Sequence, residues 1–202
     1  MLLSLSYFPP IEYFALLAKY SVVYVEACEN YQKQSWRNRC RILTANGAEN
    51  LNVPVVHENG TFQLPIKSIK VDYSTPWVLR TERAIESAYY SSPFFIYYKD
   101  ALFEILDSHP RTLWELDMRL IRFLCSKLGI APEIRETSDY VSDAPEDYRE
   151  LIHPKRPNGI MHELGLERPY WQVFKEKYGF VPGLSVLDLL FNEGPESLCW
   201  LR

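Results

Sequence analysis

The chain has 202 residues, of which 47% are hydrophobic and 24% charged, and these values suit one soluble globular domain. Its formal net charge of −4 argues against nucleic acid as a partner, because such binding needs a broad basic face. The four cysteines are scattered and form no C-x-x-C pair, so we expect reduced thiols and no metal site. No apolar run approaches the ~20 residues of a membrane span, and the apolar start is too short for a signal peptide. We therefore expect a cytoplasmic protein without a membrane span.

The N-terminal region has the pattern of two parallel strands joined by a helix. Residues 2–6 form an apolar strand candidate, Pro9 and Pro10 break it, and residues 11–20 carry apolar side chains at helical spacing. The β-branched run Val22–Val25 is typical of a strand buried on both faces of a parallel sheet. Strand, helix and strand together predict a right-handed βαβ unit.

A β-hairpin is predicted directly after this unit. Asn46 and Gly47 lie between two β-type runs, residues 37–44 and 50–56, and Asn-Gly favours the positive φ angles of a tight hairpin turn. Residues 57–69 follow as a turn-rich region with a second Asn-Gly pair at positions 59–60.

The rest of the chain is predicted to be mostly helical. The predicted helices cover residues 77–90, 101–106, 112–128, 170–178, 185–193 and 195–201. Thr112 and Glu115 form a capping box at the start of the clearest helix, and Asp117 is expected at the edge of its apolar stripe, satisfied by a neighbour. Residues 133–136 are one more strand candidate. Residues 137–168 are polar with little periodicity, as in functional or disordered segments.

These patterns predict an α/β fold: a small, mainly parallel Rossmann-like sheet with an added β-hairpin and a helical C-terminal half. We expect one domain over residues 1–202, with the βαβ unit and hairpin in residues 1–70 and the mostly helical part in residues 75–202. Ligands of open α/β sheets bind beyond the carboxyl ends of the strands. The loops that follow the first two strands are therefore expected to form a binding crevice.

The candidate ligand-binding residues centre on residues 31–41, a dense polar and cationic cluster after the second strand. Lys33 and Arg39 would neutralise phosphate, and Trp36 or Tyr31 would stack on a base or sugar ring. The predicted ligand-binding residues are Tyr7, Pro9, Tyr13, Gln32, Lys33, Trp36, Asn38, Arg39, Tyr170, Gln172 and Asn192. The predicted partner is a phosphorylated small molecule.

Two features of this site have competing interpretations. Alternation places Arg37, Arg39 and Arg41 on one strand face, which is either a solvated sheet surface, the interpretation that alternation favours, or an anion-binding platform. Asp188 could join the site from the C-terminal side, but its position three residues after Ser185 favours helix capping and packing.

Familiar catalytic motifs are absent from the sequence. It contains no P-loop, no G-x-G-x-x-G, no G-x-S-x-G and no H-E-x-x-H. The four histidines show no metal-ligand spacing on a shared helix face. Catalytic residues and cofactors therefore stay unassigned.

Six stretches spread along the chain carry a family resemblance. They are YFPPIEYF at residues 7–14, ENYQKQSWRNRC at 29–40, LNVPV at 51–55, AIESAY at 84–89, YWQVFKEKYGF at 170–180 and LSVLDLLFNEGP at 184–195. Together they resemble the WbqC-like family, a bacterial family associated with surface-polysaccharide (O-antigen) gene clusters. The resemblance implies a transferase that acts on a nucleotide-linked sugar, such as one that moves an acyl or aminoacyl group to an amino sugar.

The chain departs from the family pattern at two places. Leu5 and Ser6 stand where the family often has Gln-Pro, and Thr81 stands where a histidine commonly follows the tryptophan that is Trp77 here. If that histidine is a catalytic base in relatives, this chain lacks it.

Two function hypotheses follow. The first is a transferase, which predicts Lys33 and Arg39 in a concave pocket. The alternative is a non-catalytic interaction or scaffold protein of a polysaccharide-assembly pathway, which predicts an exposed aromatic surface.

Overall fold

A computed structural model describes residues 1–56 and 64–202, and it confirms the mixed α/β fold. The strands are Leu2–Leu3 (β1), Val22–Val25 (β2), Arg39–Thr44 (β3), Gly47–Asn52 (β4) and Glu133–Glu136 (β5). The α-helices are Ile11–Lys19 (α1), Trp77–Tyr89 (α2), Phe95–Asp107 (α3), Leu113–Lys127 (α4), Ile160–Glu163 (α5), Lys175–Tyr178 (α6) and Val186–Glu193 (α7). Short 3₁₀ helices cover Trp36–Asn38, Ile66–Ser68 and Gly194–Trp200.

A parallel sheet with the strand order β1-β2-β5 organises the N-terminal region. Leu3 pairs with Val25 and Val23 pairs with Ile134, so β2 is the central strand. Val23 and Val25 are fully buried, whereas Tyr24 between them is 37% exposed. The prediction that β2 is buried on both faces is therefore wrong, because only one face packs against the core.

The first strand is shorter than predicted. It ends at Leu3 instead of Ser6, and the backbone N–H of Tyr7 already donates to the carbonyl of Trp36 at 2.8 Å. The edge of β1 is covered from a distant part of the chain, because the backbone N–H of Tyr148 donates to the carbonyl of Leu2 at 3.0 Å.

The predicted hairpin is confirmed. Strands β3 and β4 pair from Arg39 with Asn52 to Thr44 with Gly47. Gly47 has φ +107°, a region that glycine tolerates without steric cost. Asn46 does not have a positive φ, and Thr44 pairs with Gly47, so the tight turn consists of Ala45 and Asn46 and not of the predicted Asn-Gly pair. The second predicted Asn-Gly turn, at positions 59–60, lies outside the described residues.

In the helical half, helix α4 begins where its clear sequence pattern predicts. The Thr112 hydroxyl accepts from the backbone N–H of Glu115 at 3.2 Å and caps α4. The Glu115 carboxylate accepts from the N–H of Arg111 instead of completing the predicted box. Helix α3 is longer than predicted, and the predicted helix 170–178 is reduced to α6.

Asp117 differs most from its prediction. Its side chain is 0% exposed within α4, and neither carboxylate oxygen has a hydrogen-bond partner among the described residues. Asp117 is thus a core residue, and not the predicted carboxylate at the edge of the apolar stripe with a neighbour as hydrogen-bond partner. Burial raises the pKa of the Asp117 carboxyl well above its ordinary value, because the charged form loses its hydration.

Replacing Asp117 with asparagine should stabilise the protein more strongly as the pH rises. Folded Asp117 keeps its proton to higher pH than unfolded Asp117, whose pKa is about 3.9. The wild type therefore loses about 1.4 kcal/mol of stability per pH unit above that value, until the folded carboxyl ionises. Urea unfolding at about pH 5 and about pH 8 measures the difference.

The exposed Asp100 on α3 supplies the matched control. Asp100→Asn should leave the stability near that of the wild type at both pH values. A stability gain for Asp117→Asn that does not change with pH would contradict a raised pKa.

Candidate functional site

The carboxyl edge of the parallel sheet, where a crevice was predicted, is filled by a buried ion pair. Glu26 directly follows β2, and its carboxylate accepts from the Arg149 guanidinium at 3.0 Å. It also accepts from the Thr137 hydroxyl at 2.6 Å and from the backbone N–H of Val141 at 3.1 Å. Arg149 binds Asp147 as well, at 2.6 Å. The polar segment 137–168 is thereby attached to the sheet.

A second buried ion pair lies inside the cationic cluster of residues 31–41. Arg37 is 3% exposed and Glu29 is 5% exposed, and two guanidinium nitrogens donate to the two Glu29 oxygens at 2.7 and 2.5 Å. Arg37 also donates to the Ser4 hydroxyl at 2.7 Å and to the Gln32 side-chain oxygen at 3.2 Å. Arg37 lies in the 3₁₀ helix before β3 and not on the strand. For this residue, both the solvated sheet surface and the anion-binding platform are therefore wrong.

A large cavity lies beside this region, at the N-terminus of α1. It has a volume of about 480 Å³, and we call it the α1 cavity. Its lining comes from the start of α1, the start of the hairpin, segment 153–168, residues 180–183 and the C-terminal 3₁₀ helix. The charged side chains of the lining are Glu12, Arg41, Lys155, Arg156, Glu167 and Arg168. Its aromatic side chains are Trp36, Tyr170, Phe180 and Trp200. His153 and Asn158 add polar groups.

Two arginine–tryptophan pairs lie in the lining. The Arg41 guanidinium lies 5.7 Å from the Trp36 ring centroid, and that of Arg168 lies 4.7 Å from the Trp200 ring centroid. Arg168 also donates to the carbonyl of Cys199. Cation–π contact orients each planar guanidinium, which suits it for bidentate binding of phosphate or carboxylate.

The other two cations and the histidine belong to the segment 153–158. Lys155 donates to the side-chain oxygen of Gln34, and Arg156 forms an exposed ion pair with Glu150 at 3.6 Å. Partial burial, assisted by the neighbouring Arg156, lowers the pKa of His153 below its ordinary value. His153 is therefore mainly neutral at neutral pH, and the positive charge of the cavity comes from its lysine and arginines.

Glu12 is the buried carboxyl of the α1 cavity. It is 8% exposed, in the first turn of α1, and its Oε1 accepts from the Asn158 amide at 3.1 Å. Burial raises the pKa of Glu12, although the hydrogen bond from Asn158 and the charge of Arg41 oppose the shift. A buried carboxyl with a raised pKa beside cationic groups is a common arrangement at functional sites.

Of the predicted ligand-binding residues, the structure places Trp36 and Tyr170 in the lining of this cavity. Gln32 is exposed and connects Arg37 to Glu150, and Lys33 is also exposed. The Asn38 amide donates to the carbonyl of Val53 at 3.0 Å. Lys33, Asn38 and Arg39 do not line the α1 cavity, so the structure does not bring the predicted cations together there.

The remaining predicted residues pack inside the protein. Tyr7 and Pro9 are buried in the turn before α1, and the Tyr13 hydroxyl donates to the carbonyl of Ser4 at 3.1 Å. Tyr13 and Trp36 line a second cavity of only about 10 Å³. Because that space holds one water molecule at most, it cannot accept a nucleotide.

A buried hydrogen-bond cluster around Asp188 holds the predicted C-terminal residues. The Tyr170 hydroxyl and the Gln172 amide donate to Asp188 at 2.6 and 2.9 Å, and the Asn192 amide donates to the Asp188 carbonyl at 2.8 Å. Burial raises the pKa of Asp188 to about 6, and the hydrogen bonds from Tyr170 and Gln172 oppose that shift. This cluster supports the helix-packing interpretation of Asp188, and it fixes the Tyr170 ring in the cavity wall.

Sequence reasoning missed several residues of the cavity, namely Glu12, Arg41, Lys155, Arg156, Arg168 and Trp200. Arg41 was signalled by alternation along β3, and the length of the polar segment 137–168 did indicate a functional region. Glu12 carried no distinguishing signal, since a carboxylate in the first turn of a helix is common.

Two absences hold for residues 1–56 and 64–202. No three or more His, Cys, Asp or Glu side chains come together there as potential metal ligands. Nor is any helix in these ranges long and apolar enough to cross a membrane.

The fold and the cavity define a small α/β protein with a cationic, aromatic-lined pocket beside its sheet. The sequence model of the WbqC-like protein family matches residues 6–155, and the chain belongs to this family. It is similar to the uncharacterised protein Rv1507c of Mycobacterium tuberculosis, with 29% identity over 98% of this chain and 94% of that protein. No solved structure matches significantly. The family match includes Glu12, Trp36 and Arg41, whereas the opposite cavity wall lies mostly beyond residue 155.

Removing the Arg37 side chain should strongly destabilise the protein. Arg37→Ala leaves Glu29 buried without its cation, which costs about 3–5 kcal/mol in comparable buried pairs. Urea unfolding measures the loss. Arg80→Ala, at an exposed position on α2, is the control and should change stability by about 0.5 kcal/mol or less.

The double variant Glu29→Ala/Arg37→Ala separates ion pairing from packing. It should be more stable than Arg37→Ala alone, because it leaves no uncompensated carboxylate. Strictly additive losses for the two substitutions would contradict a coupled pair.

Proposed function

We propose that this protein is a transferase that binds a nucleotide-linked sugar in the α1 cavity. The observation that carries the proposal is the meeting of four cations and four aromatic rings around about 480 Å³. This volume lies within the range of small-molecule sites, which is roughly 300–1,000 Å³. Cations match the negative charge of a diphosphate, and aromatic rings match a base or sugar ring.

The roles of the lining residues follow from their geometry. Arg41 and Arg168 are held against tryptophan rings, so their guanidinium edges are pre-organised for phosphate oxygens. Tyr170 stands edge-to-face to Phe180, with 5.2 Å between ring centroids, and this pair offers an aromatic wall for a ring of the ligand. Lys155 adds charge from the segment 153–158.

The resemblance to the family supports the reaction class. We propose transfer of an acyl or aminoacyl group to an amino sugar that is carried on the nucleotide, in surface-polysaccharide biosynthesis. Thr81, which replaces the common family histidine, is buried and does not line the α1 cavity. An acid or base for the reaction is therefore sought among the cavity residues and not at position 81.

Ligand-induced thermal shifts test the nucleotide site. UDP, dTDP, GDP and their sugar conjugates are screened, and at least one should raise the melting temperature, since a ligand that binds only the folded state stabilises it. Arg41→Ala and Arg168→Ala should each weaken binding of that ligand about tenfold or more, through the loss of charge-assisted hydrogen bonds.

Three variants control this experiment. Arg80→Ala should bind like the wild type. Lys33→Ala and Arg39→Ala test the site predicted from the sequence, and an effect of these two without an effect of Arg41→Ala or Arg168→Ala would move the site to residues 31–41. A screen with no stabilising nucleotide would count against the whole proposal.

A second candidate function is a non-catalytic interaction protein. Large apolar side chains are highly exposed where α2 meets α3: Tyr90 is 76% exposed, Ile96 59% and Tyr97 75%. Exposed apolar groups of this size occur at protein-binding surfaces. A pull-down with the wild type and with Tyr90→Ser/Tyr97→Ser tests it, because a stoichiometric partner of that surface should be lost from the variant.

A further inference from the structure

Glu12 is a buried carboxyl on the wall of a cationic cavity, yet it has no ion-pair partner in the described part of the chain. The ion pairs among the described residues do not include it, although Arg41, Lys155 and Arg168 line the same space. Its side-chain partner is the neutral amide of Asn158, 3.1 Å from Oε1. The other lining carboxylate, Glu167, is 71% exposed on its side chain and lies 3.0 Å from His162.

Helix geometry alone does not explain this burial. A carboxylate in the first turn of α1 interacts favourably with the helix dipole, but an exposed carboxylate would gain the same interaction without losing its hydration. Buried charges in proteins are generally paired with an opposite charge. Among the described residues no cation lies within ion-pair distance of Glu12, and the charge of Arg41 acts on it only from farther away. The missing positive charge would therefore come from a ligand of the cavity.

The charge distribution of the cavity sets the chemistry of that complement. Its lysine and arginines suit anionic oxygens, whereas Glu12 suits a group that donates hydrogen bonds and carries positive charge. A ligand that matches both has phosphate at one place and a protonated amine at another.

We propose that Glu12, held in position by Asn158, binds the amino group of the ligand in the α1 cavity. This inference rests on the proposed function for the phosphate-bearing sugar, and it adds the residue that distinguishes an amino sugar from its hydroxyl analogue. The ammonium donates to the Glu12 carboxylate, and Asn158 keeps the carboxylate directed at the cavity.

Amine binding should be linked to release of a proton. Burial raises the pKa of free Glu12, and a bound ammonium would favour the ionised carboxylate and lower that pKa. The ionisable groups that share the cavity with Glu12 are Arg41, His153, Lys155, Arg156, Glu167 and Arg168. Of these, His153 is the side-chain type whose ordinary pKa lies nearest to neutral pH. The proton therefore has to be assigned with a Glu12 variant.

The test compares glucosamine 1-phosphate with glucose 1-phosphate by calorimetric titration. The two probes differ in one amino group, and neither contains a nucleobase. The wild type should bind the amine about tenfold more tightly, as expected for one charge-assisted hydrogen bond. Repeating the titration in buffers of different ionisation enthalpy should show proton release for the amine alone.

Glu12→Gln removes the charge with little change of shape, and it should bind both sugar phosphates equally and release no proton. Glu163→Gln, an exposed position on α5 outside the cavity lining, is the matched control and should keep the wild-type preference. Equal affinity of the wild type for both probes, or binding of neither, overturns the inference without any variant. A preference that survives in Glu12→Gln overturns the role of Glu12.

The same experiment separates this inference from the proposed function. An amine preference with no nucleotide binding in the thermal-shift screen would support Glu12 as the amine-binding residue and contradict nucleotide binding. Nucleotide binding without an amine preference would keep the proposed function and remove the role of Glu12.

Discussion

The bidentate pair of Arg37 with Glu29 fixes the position of the loop that leaves the central strand. Glu29 follows β2, and Arg37 lies in the 3₁₀ helix before the hairpin, so the pair closes the seven-residue connection between them. Arg37 also reaches Ser4 beyond β1, which ties the ends of two neighbouring strands together. Because both charges are buried, this arrangement is stable only with both partners in place.

The consequences of that pair extend to the cavity. With Arg37 turned inward, the adjacent Trp36 is held by its carbonyl, which accepts from the N–H of Tyr7, and the indole faces the α1 cavity. Arg41, which lies two residues after Arg39 on the same face of β3, then packs on that indole. Arg37, the arginine of the buried ion pair, thus has a structural role, whereas Arg41, four residues later, lines the α1 cavity.

Local signals predicted the fold well because they act over a few residues. Gly47 at positive φ and Thr112 at the start of α4 perform the roles that their residue types favour wherever they occur. The predicted site needed partners far apart in sequence, and these carry no local pattern. Arg149 meets Glu26 across 123 positions, and that pair occupies the sheet edge where a ligand crevice was expected. Asp117 is a similar case, since only the packing around α4 shows that its carboxyl is enclosed.

The same long-range contacts explain why the cavity lies beside the sheet edge instead of on it. The ion pair of Arg149 with Glu26 at the sheet edge attaches segment 137–168 to the sheet. The part of this segment after Ile152 then passes over the N-terminus of α1. That passage supplies three of the four cavity cations, Lys155, Arg156 and Arg168, in a chain whose formal net charge is −4. The positive charge is therefore local, and it is concentrated beside the aromatic rings of the α1 cavity. A site of this kind attracts a small anion without making the whole surface basic.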